Sequence, residues 1–333
     1  MKTSTLSPWV RRFLVEYVVT ERNLARSTQL SYRDTLASLI RFAACKMKKR
    51  ADLMSVEDIS RELITQFLSD LATRGECCAR TINQKLAALH SFARFVGEYG
   101  PEHLPWAAAI HAIPFRKYAR PQISYLEKAE MDALLASPDR LTEQGSRDYA
   151  TLLFLYNTGA RASELAQLTV ADLQLDKSRK GNSLATLHGK GSRTRLCPLW
   201  PHTADEIGLL IAGRSPQQHV FLNRCGQPMT RFGIHAVVER HAARAADKMP
   251  ELNAKRVSPH TIRHTTATFL LRAGVDINTI RAWLGHVSLS TTNIYAQIDV
   301  EMKARALACL EQSNASLRRR PIGSDLMQFL RSL

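Results

Sequence analysis

Residues Ser258–Tyr295 decide the fold of this chain; they read SPHTIRHTTATFLLRAGVDINTIRAWLGHVSLSTTNIY and predict three short helices. Ser258 is a favourable N-cap, and Pro259 falls at the first helical position, where its missing N–H costs nothing. Glycine ends a helix and Asp or Ser begins one, so the later boundaries are predicted at Gly274, Asp276, Gly285 and Ser290. The apolar residues expected to be buried are Ile262, Phe269, Leu270, Ile277, Ile280, Trp283 and Leu284.

Four polar side chains remain at the edges of these apolar helices, where a polar cluster is expected. His260 and Arg263 are three residues apart and share one helix face, and His286 and Tyr295 follow. His260 and His264 are four residues apart, which also suits a metal pair. The zinc-protease pattern needs H-E-x-x-H, and a guanidinium between the two His disfavours a bound dication. The interpretation without a metal is therefore preferred.

This stretch resembles the tyrosine recombinase (phage integrase) family. That family carries an H-x-x-R box, an L-G-H box and a Tyr nine residues after the last His. Here the same elements are His260–Arg263, Leu284–His286 and Tyr295, in the same order and at the same spacing. A Tyr on a short helix is, taken alone, usually a packing residue, so the identification depends on the three elements together.

Two further elements of the resemblance lie upstream. A buried apolar helix is predicted at 148–158 and ends at Gly159; Arg161 and Glu164 then match the family's first arginine box. Strands are predicted at 173–175, 183–188 and 194–199. Lys190 lies in the glycine-rich turn between the last two, where the family places a catalytic Lys, although a Lys in such a turn is more often simply solvated. Arg193 and Arg195 are expected to contact phosphates.

The resemblance implies a complete chemistry for cutting DNA without ATP, metal or other cofactor. Tyr295 would attack the phosphorus and form a 3′-phosphotyrosyl link. Arg161 and Arg263 would bind the non-bridging oxygens, and Lys190 would protonate the leaving 5′ oxygen. His260 would accept the proton of Tyr295, and His286 would hydrogen-bond the phosphate or orient Tyr295.

The charge of the chain favours a polyanionic partner. Lys and Arg number 46 against 30 Asp and Glu, a net charge of +16 over 333 residues. Residues 1–120 hold 19 of the basic and 11 of the acidic residues, so both halves of the chain are basic. The six Cys are scattered without a C-x-x-C pair, which suits a reducing compartment. A cytoplasmic, nucleoid-associated protein is expected, since neither a signal peptide nor a membrane span is recognised.

The N-terminal part predicts four helices, near 8–20, from 27 onward, and near 58–72 and 81–96. The sequence from Thr28 to Asp34 and the stretch RTINQKLAALHSFARFV from Arg80 resemble the family's SAM-like core-binding domain. By that resemblance the fourth helix enters the major groove. Its candidate DNA contacts are Arg80, Gln84 and Lys85. A solvated helix face is the alternative for each of these charges.

Proline density between 100 and 122 predicts an extended linker rather than a helix. We therefore expect a helical DNA-binding domain at 1–110, a Pro-rich basic linker at 111–122, a catalytic domain at 123–315 and a tail at 316–333. A helix is predicted at 126–136, a polar loop at 138–147, and further helices near 202–212, 230–246 and 299–311. Arg231 is a candidate DNA contact in the second domain, and an apolar segment in the tail suggests a helix that docks on a neighbouring protomer.

The fold expected from these features is mainly α with a small β-sheet (α+β). The resemblance implies a site-specific recombinase, Xer-like or transposon-encoded, acting on double-stranded DNA as a homo-tetramer, with a second recombinase as a possible partner. A type IB topoisomerase uses a similar residue set and is the alternative within this chemistry. A non-catalytic DNA-binding regulator is the alternative from another class. The target DNA and the biological task (transposition, integration or dimer resolution) are not readable from the sequence.

Overall fold

The computed structural model of the protein describes residues 5–75, 77–118, 124–176, 183–189 and 193–285. The chain divides into two compact units, Met1–Pro121 and Gln122–Leu333. Within the described residues, no helix combines the length and the apolar character needed to cross a membrane. The predicted class is confirmed, since helices dominate and a single three-stranded sheet accompanies them in the described part of the chain.

The described part of the first unit contains five α-helices. Helix α1 continues directly into a π-helical stretch, Phe13–Glu21, so the first predicted helix is one continuous rod. The aromatic core contains Phe13, Phe92 and Phe95, with ring centroids 5.3–5.4 Å apart from Phe13 to the other two. The helix bounds are α1 Leu6–Arg12, α2 Arg26–Met47, α3 Arg61–Thr73, α4 Ala79–Tyr99 and α5 Leu104–His111.

The prediction of an extended linker from residue 100 was wrong over its first part, because residues 101–111 are helical. Pro101 begins a 3₁₀ turn, Pro101–His103, and Pro105 lies in the first turn of α5. Proline is tolerated in a first helical turn, where the N–H would lack a partner anyway. Helix α5 packs closely on α4 at Gly97, where an added Cβ would lie 3.0 Å from the Cβ of Ala107.

Asn83 on α4 forms two hydrogen bonds to the chain beyond α5. The Asn83 side chain donates to the carbonyl of Arg116 and accepts from its N–H, both at 2.8 Å. The Arg116 guanidinium also donates to the carbonyl of Leu68 at 3.2 Å. Two backbone hydrogen bonds from a single side chain hold residue 116 in place, so the chain is fixed to the first unit up to this point.

The second unit has seven helices in its described part, packed around a large hydrophobic core and a smaller one of Ala267, Leu271, Ile280 and Leu284. Helix α7 begins at Glu143 with Thr142 as N-cap, five residues earlier than the predicted buried helix. The predicted loop at 138–147 was therefore too long, because the capping signal of Thr142 was missed. The helices are α6 Lys128–Ala136, α7 Glu143–Thr158, α8 Ala162–Gln167, α9 Pro201–Leu210, α10 Arg231–Ala246, α11 Pro259–Arg272 and α12 Ile277–Leu284.

The three predicted strands are confirmed as an antiparallel sheet in the order β1-β2-β3. Strand β1 is Leu173–Gln174, β2 is Leu184–His188 and β3 is Thr194–Pro198. Leu187 pairs with Arg195 and His188 with Thr194, and the N–H of Gly189 donates to the carbonyl of Arg193 at 2.7 Å. This register fixes where the β2–β3 hairpin ends.

The first two helices predicted in the opening stretch are confirmed as α11 and α12. Ser258 accepts from the N–H of Thr261, and Asp276 accepts from the N–H of Thr279 at 2.8 Å, as N-caps do. Ile262, Ile280 and Leu284 are buried, whereas Phe269, Leu270, Ile277 and Trp283 are only half-buried. The third helix with Tyr295, the helix at 299–311 and the tail helix lie outside the described residues.

Candidate functional site

Arg161 lies in the turn between α7 and α8. Its N–H donates to Glu164 Oε2 at 2.8 Å and its Nη1 to Glu164 Oε1 at 2.6 Å. Its Nη2 lies 3.5 Å from the carbonyl oxygen of Gly285. The side chain keeps 33% of its surface exposed. Arg161 is thus a guanidinium held on one side and open to solvent on the other.

Gly159 makes this turn possible. It ends α7 with φ +60°, a conformation that glycine adopts without strain, and an added Cβ would lie 2.7 Å from Leu284 Cδ2. The close approach brings the end of α7 against the end of α12. The sequence carries this signal as a glycine three residues after the apolar run LLFLY.

Arg263 is buried at this junction. The prediction that it lies at the edge of its helix was therefore wrong. Arg263 is 1% exposed, and it donates from Nη1 to the carbonyl of Gly159 at 2.7 Å and from Nη2 to that of Leu284 at 2.5 Å. One buried cation therefore joins α7, α11 and α12. Arg161 and Arg263 meet at this junction. Arg263 donates to the carbonyls of Gly159 and Leu284, whereas Arg161 contacts the carbonyl of Gly285 and is two residues from Gly159 in sequence.

Glu164 is a buried carboxylate between two arginines. Arg195 on β3 donates to it from Nη1 at 3.1 Å and from Nη2 at 2.7 Å, and Arg161 donates from the other side. Burial alone raises the pKa of Glu164, but hydrogen bonds and charge from Arg195 and Arg161 outweigh this and lower it. Burial likewise lowers the pKa of Arg195, and the pairing with Glu164 reverses that effect and raises it. Both groups are charged at neutral pH.

Arg195 was predicted to contact phosphates, and that prediction was wrong. Its side chain is 9% exposed, and besides the two bonds to Glu164 it donates from Nε to the carbonyl of Trp283 at 2.7 Å. The alternation of side chains along a strand could have predicted that Arg195 faces the core. Arg195 and Cys197 are two residues apart on β3 and so share a face, and Cys197 is buried.

The β2–β3 hairpin ends against this cluster. An added Cβ on Gly189 would lie 3.3 Å from Glu164 Oε1 and 3.8 Å from Arg195 Nη1. Lys190 is the next residue and lies outside the described residues. His286 follows Gly285 and also lies outside them, as does Tyr295. The flanking residues Gly189 and Gly285 both lie at the Arg161–Glu164–Arg195 cluster.

His260 and His264 lie on successive turns of α11, with ring centroids 4.5 Å apart in an edge-to-face arrangement. His260 is exposed and His264 is half-buried. Burial, together with the neighbouring charges of His260 and Arg263, lowers the pKa of His264 to about 4. His264 is therefore neutral at neutral pH. Within the described ranges, no group of three His, Cys, Asp or Glu side chains is placed to hold a metal ion.

The candidate DNA contacts divide between the two units. On α4, Arg80 and Gln84 are exposed while Lys85 is half-buried, and Gln84 donates to Ser31 Oγ at 3.1 Å. In the second unit Arg193 is exposed beyond the hairpin. Arg231 is also exposed, at the first turn of α10, with its guanidinium 4.7 Å from the ring centroid of Phe232. Three of these five side chains therefore lie on α4 of the first unit and two lie in the second unit.

Sequence comparison matches both parts of the chain to one family. Residues 124–302 match the phage integrase family, and residues 9–98 match the phage integrase N-terminal SAM-like domain. A Sinorhizobium fredii protein assigned as integrase/recombinase y4rC is 36% identical over 335 residues, covering 100% of this chain and 99% of the relative. The tyrosine recombinase XerC of Pelobacter propionicus is 31% identical over 288 residues, covering 86% of this chain and 89% of that protein.

Solved structures share the fold at lower identity. The XerH site-specific recombinase bound to a palindromic difH substrate, in a post-cleavage complex, superposes with a TM-score of 0.64 at 20% identity, covering 93% of this chain and 91% of that one. The Tn1549 transposon integrase in complex with transposon right end DNA gives a TM-score of 0.67 at 17% identity, covering 89% of this chain and 97% of that one. Both matches cover most of this chain and so include residues of both units.

Proposed function

The chain belongs to the phage integrase family of tyrosine recombinases, and on that premise we propose how its own residues cut and rejoin DNA. It is a site-specific DNA recombinase, an enzyme of DNA strand breakage and rejoining. The nucleophile we assign is Tyr295, whose hydroxyl attacks the scissile phosphorus and displaces the 5′ oxygen. The product is a 3′-phosphotyrosyl link that a second 5′ hydroxyl can attack in turn.

One observation carries the assignment of the phosphate site. The two arginines of the family boxes, Arg161 and Arg263, meet at a single backbone junction formed by Gly159 and residues 284–285. The partly exposed Arg161 guanidinium offers planar donors to non-bridging phosphate oxygens, and the buried Arg263 adds positive charge next to it. Removing one preorganised donor from such a site costs roughly 10²–10³ in rate in enzymes that stabilise an oxyanion.

The remaining catalytic roles are proposals supported by sequence position. Lys190 follows Gly189, which lies at the cluster, and acts as the acid that protonates the leaving 5′ oxygen. His260, exposed on α11, accepts the proton from Tyr295. His286 follows Gly285, whose carbonyl faces Arg161, and hydrogen-bonds the phosphate. No metal or nucleotide enters these steps.

The DNA and the assembly are also proposed. The basic faces of both units bind one recombination site, with Arg80, Gln84 and Lys85 on α4 and Arg193 and Arg231 in the second unit as contacts. Four copies then form the synapse, since exchange between two duplexes requires four strand cleavages. The whole-length likeness to a protein assigned as an integrase/recombinase favours recombination over topoisomerase-like relaxation or regulation without catalysis.

A suicide-substrate assay tests the nucleophile. Nicked duplexes drawn from the DNA that flanks the gene are incubated with the full chain and a chelator, and covalent adducts are resolved on a denaturing gel. We expect an adduct with the wild type and none with Tyr295→Phe. Tyr149→Phe is the matched control, because the Tyr149 hydroxyl bonds to His202 away from the cluster and its loss leaves adduct formation unchanged.

Two outcomes contradict the assignment. An adduct that survives Tyr295→Phe identifies a different nucleophile. Adduct formation that is abolished by the chelator and restored by a divalent cation removes the metal-free mechanism. The DNA trapped in a successful experiment also identifies the recombination site, which then serves as substrate for every other measurement.

A further inference from the structure

Arg195 is a buried cation with a complete set of partners and no part in the chemistry proposed above. Its three nitrogens all donate: Nε to the carbonyl of Trp283, and the two Nη to the two oxygens of Glu164, at 2.7–3.1 Å. Bidentate pairing of this kind fixes both the position and the orientation of a carboxylate. The side chain that Arg195 holds most firmly is therefore Glu164.

Glu164 in turn contacts Arg161, the exposed arginine of the phosphate site. The Arg161 Nη1 lies 2.6 Å from Glu164 Oε1, the same oxygen that accepts from Arg195 Nη1 at 3.1 Å. Glu164 is thus a shared counterion. Together the three groups carry two positive charges and one negative charge, which leaves a net charge of +1 at the cluster.

The sharing matters because a buried ion pair attracts strongly. If Arg195 were absent, the only guanidinium hydrogen-bonded to Glu164 among the described residues would be Arg161, and the pair would be neutral. A phosphate approaching Arg161 would then meet a carboxylate 2.6 Å from the guanidinium, with Arg161 as its sole hydrogen-bonded cation among the described residues. Screening is weak at this depth, since Glu164 is 3% exposed.

Arg195 also touches the segment that precedes His286. Gly285 has φ +65°, and an added Cβ there would lie 3.2 Å from Arg195 Nη1 and 3.3 Å from its Cδ. The carbonyl of Trp283 accepts from Arg195 Nε and lies 3.7 Å from the thiol of Cys197 on the same strand. Arg195 therefore links β3, the first arginine box and the end of α12.

We propose that Arg195 is a positioning residue for DNA cleavage. It pairs with Glu164 and offsets the negative charge of that carboxylate, so that the positive charge of Arg161 remains available to attract the scissile phosphate. The inference rests on the proposed function, in which Arg161 binds that phosphate. It assigns the role to a side chain outside the six proposed catalytic residues, and it makes the loss of Arg195 an electrostatic defect that a second substitution repairs.

The test measures single-turnover cleavage of the trapped nicked substrate by the full chain. Arg195→Met is expected to slow cleavage about 10- to 100-fold, a smaller loss than deletion of a direct donor, while DNA affinity stays within threefold of wild type. Adding Glu164→Gln removes the carboxylate charge and keeps an oxygen for the N–H of Arg161. The double variant is expected to recover at least fivefold over Arg195→Met.

A matched control removes another arginine–carboxylate pair of the same unit. Arg140 on the α6–α7 connection pairs with Glu206 on α9, away from the cluster, so Arg140→Met is expected to cleave at the wild-type rate. Arg195→Lys provides a second variant that keeps the charge beside Glu164 but loses the bidentate geometry. It is expected to cleave at least fivefold faster than Arg195→Met.

The proposal is overturned if Arg195→Met cleaves within threefold of wild type, if Glu164→Gln fails to restore the rate, or if the Lys and Met variants are equally slow. A wild-type chain that forms no adduct contradicts the proposed function instead. The pairing is then still decided by a carbon NMR titration of labelled Glu carboxyls in the full chain. Arg195→Met is expected to raise the pKa of Glu164, and an unchanged pKa overturns the inference.

Discussion

His264 shows how the depth of a side chain within the fold sets its chemistry. It is next to Arg263 in sequence and one helical turn from His260, yet its pKa falls to about 4 because it is partly buried and faces positive neighbours. A histidine that must stay neutral in the folded protein is protonated first in the unfolded chain. The unfolded state therefore binds the extra proton between the ordinary pKa of 6.5 and about 4.

This histidine predicts a pH dependence of stability. Its contribution is fully present above pH about 6.5 and is lost as the pH falls to about 4. A shift of this size amounts to about 2 kcal/mol once screening at a half-buried ring is allowed for, at about 1.4 kcal/mol per pH unit. Urea unfolding of the full chain should therefore show a shallower decline in stability below pH 6.5 for His264→Gln than for wild type.

The control for that measurement is His235→Gln, which removes a histidine on the surface of α10 that pairs with Glu239 at 3.2 Å. Its curve gives the effect of removing a histidine from the protein surface, and the curve of His264→Gln is compared with it. Parallel curves for His264→Gln would show that this histidine is protonated equally in both states, contrary to the prediction.

At the residue scale, the sequence predicted the types of group but not how deeply they lie. The resemblance to the family predicted that Arg161, Arg263 and Glu164 lie in one site, because each matches a motif of that family. The burial of Arg263 and Arg195 depends on contacts with the carbonyls of Gly159, Trp283 and Leu284, which come from distant parts of the chain. No local pattern reports which carbonyl a guanidinium reaches.

At the element scale, the turn after α7 is the most constrained point of the site. Gly159→Ala places a Cβ at φ +60° and 2.7 Å from Leu284 Cδ2, so it is expected to lower the free energy of unfolding by about 2–3 kcal/mol. Strain in the left-handed conformation accounts for about 1 kcal/mol of this. The rest of the cost comes from the clash with Leu284, whose side chain must move to make room. That movement is expected to disturb the contacts between α7, α11 and α12 at this point. Denaturant unfolding of the full chain measures the change.

Gly213→Ala separates the two contributions. Gly213 has φ +74° with no atom within 4 Å of an added Cβ, so the variant reports the backbone strain alone. We expect Gly159→Ala to be the more destabilising of the pair and to slow DNA cleavage as well. Equal destabilisation would mean that the approach of Leu284 adds nothing.

Element boundaries were predictable where a cap was recognised. Ser258, Asp276 and Gly285 placed α11 and α12 correctly, since each supplies a backbone partner or a left-handed conformation. The start of α7 and the whole of α5 were missed. Thr142 lies within a polar stretch that resembles a loop, and Pro101 and Pro105 were treated as helix breakers although they begin helices here. The same residue type thus has opposite meanings at the start and in the middle of a helix.

At the scale of the whole molecule, the net charge of +16 predicts strongly salt-dependent DNA binding. Each phosphate contact adds about 0.9 to the slope of log affinity against log salt. Arg80→Ala on the exposed end of α4 is expected to lower that slope by about 1. Arg50→Ala is the control, since Arg50 is 80% exposed beside Asp52 in the same unit and is not assigned to DNA. An unchanged slope for Arg80→Ala removes Arg80 from the interface.

The hydrogen bonds from Asn83 to Arg116 have a consequence for how firmly the recombinase holds its site. The second unit is fixed from Leu126 onward, where the backbone N–H donates to Thr265 Oγ1 at 2.8 Å. Ten Cα–Cα steps then separate the two attachment points, residues 116 and 126, and covalent geometry limits their span to about 35 Å whatever the conformation of the chain between them. Once one unit is bound, the other is confined to a small volume around the same duplex, at an effective concentration on the order of millimolar. The two units are therefore expected to bind one duplex more tightly together than either does alone, and loss of the two Asn83 hydrogen bonds is expected to lengthen the tether and weaken this avidity.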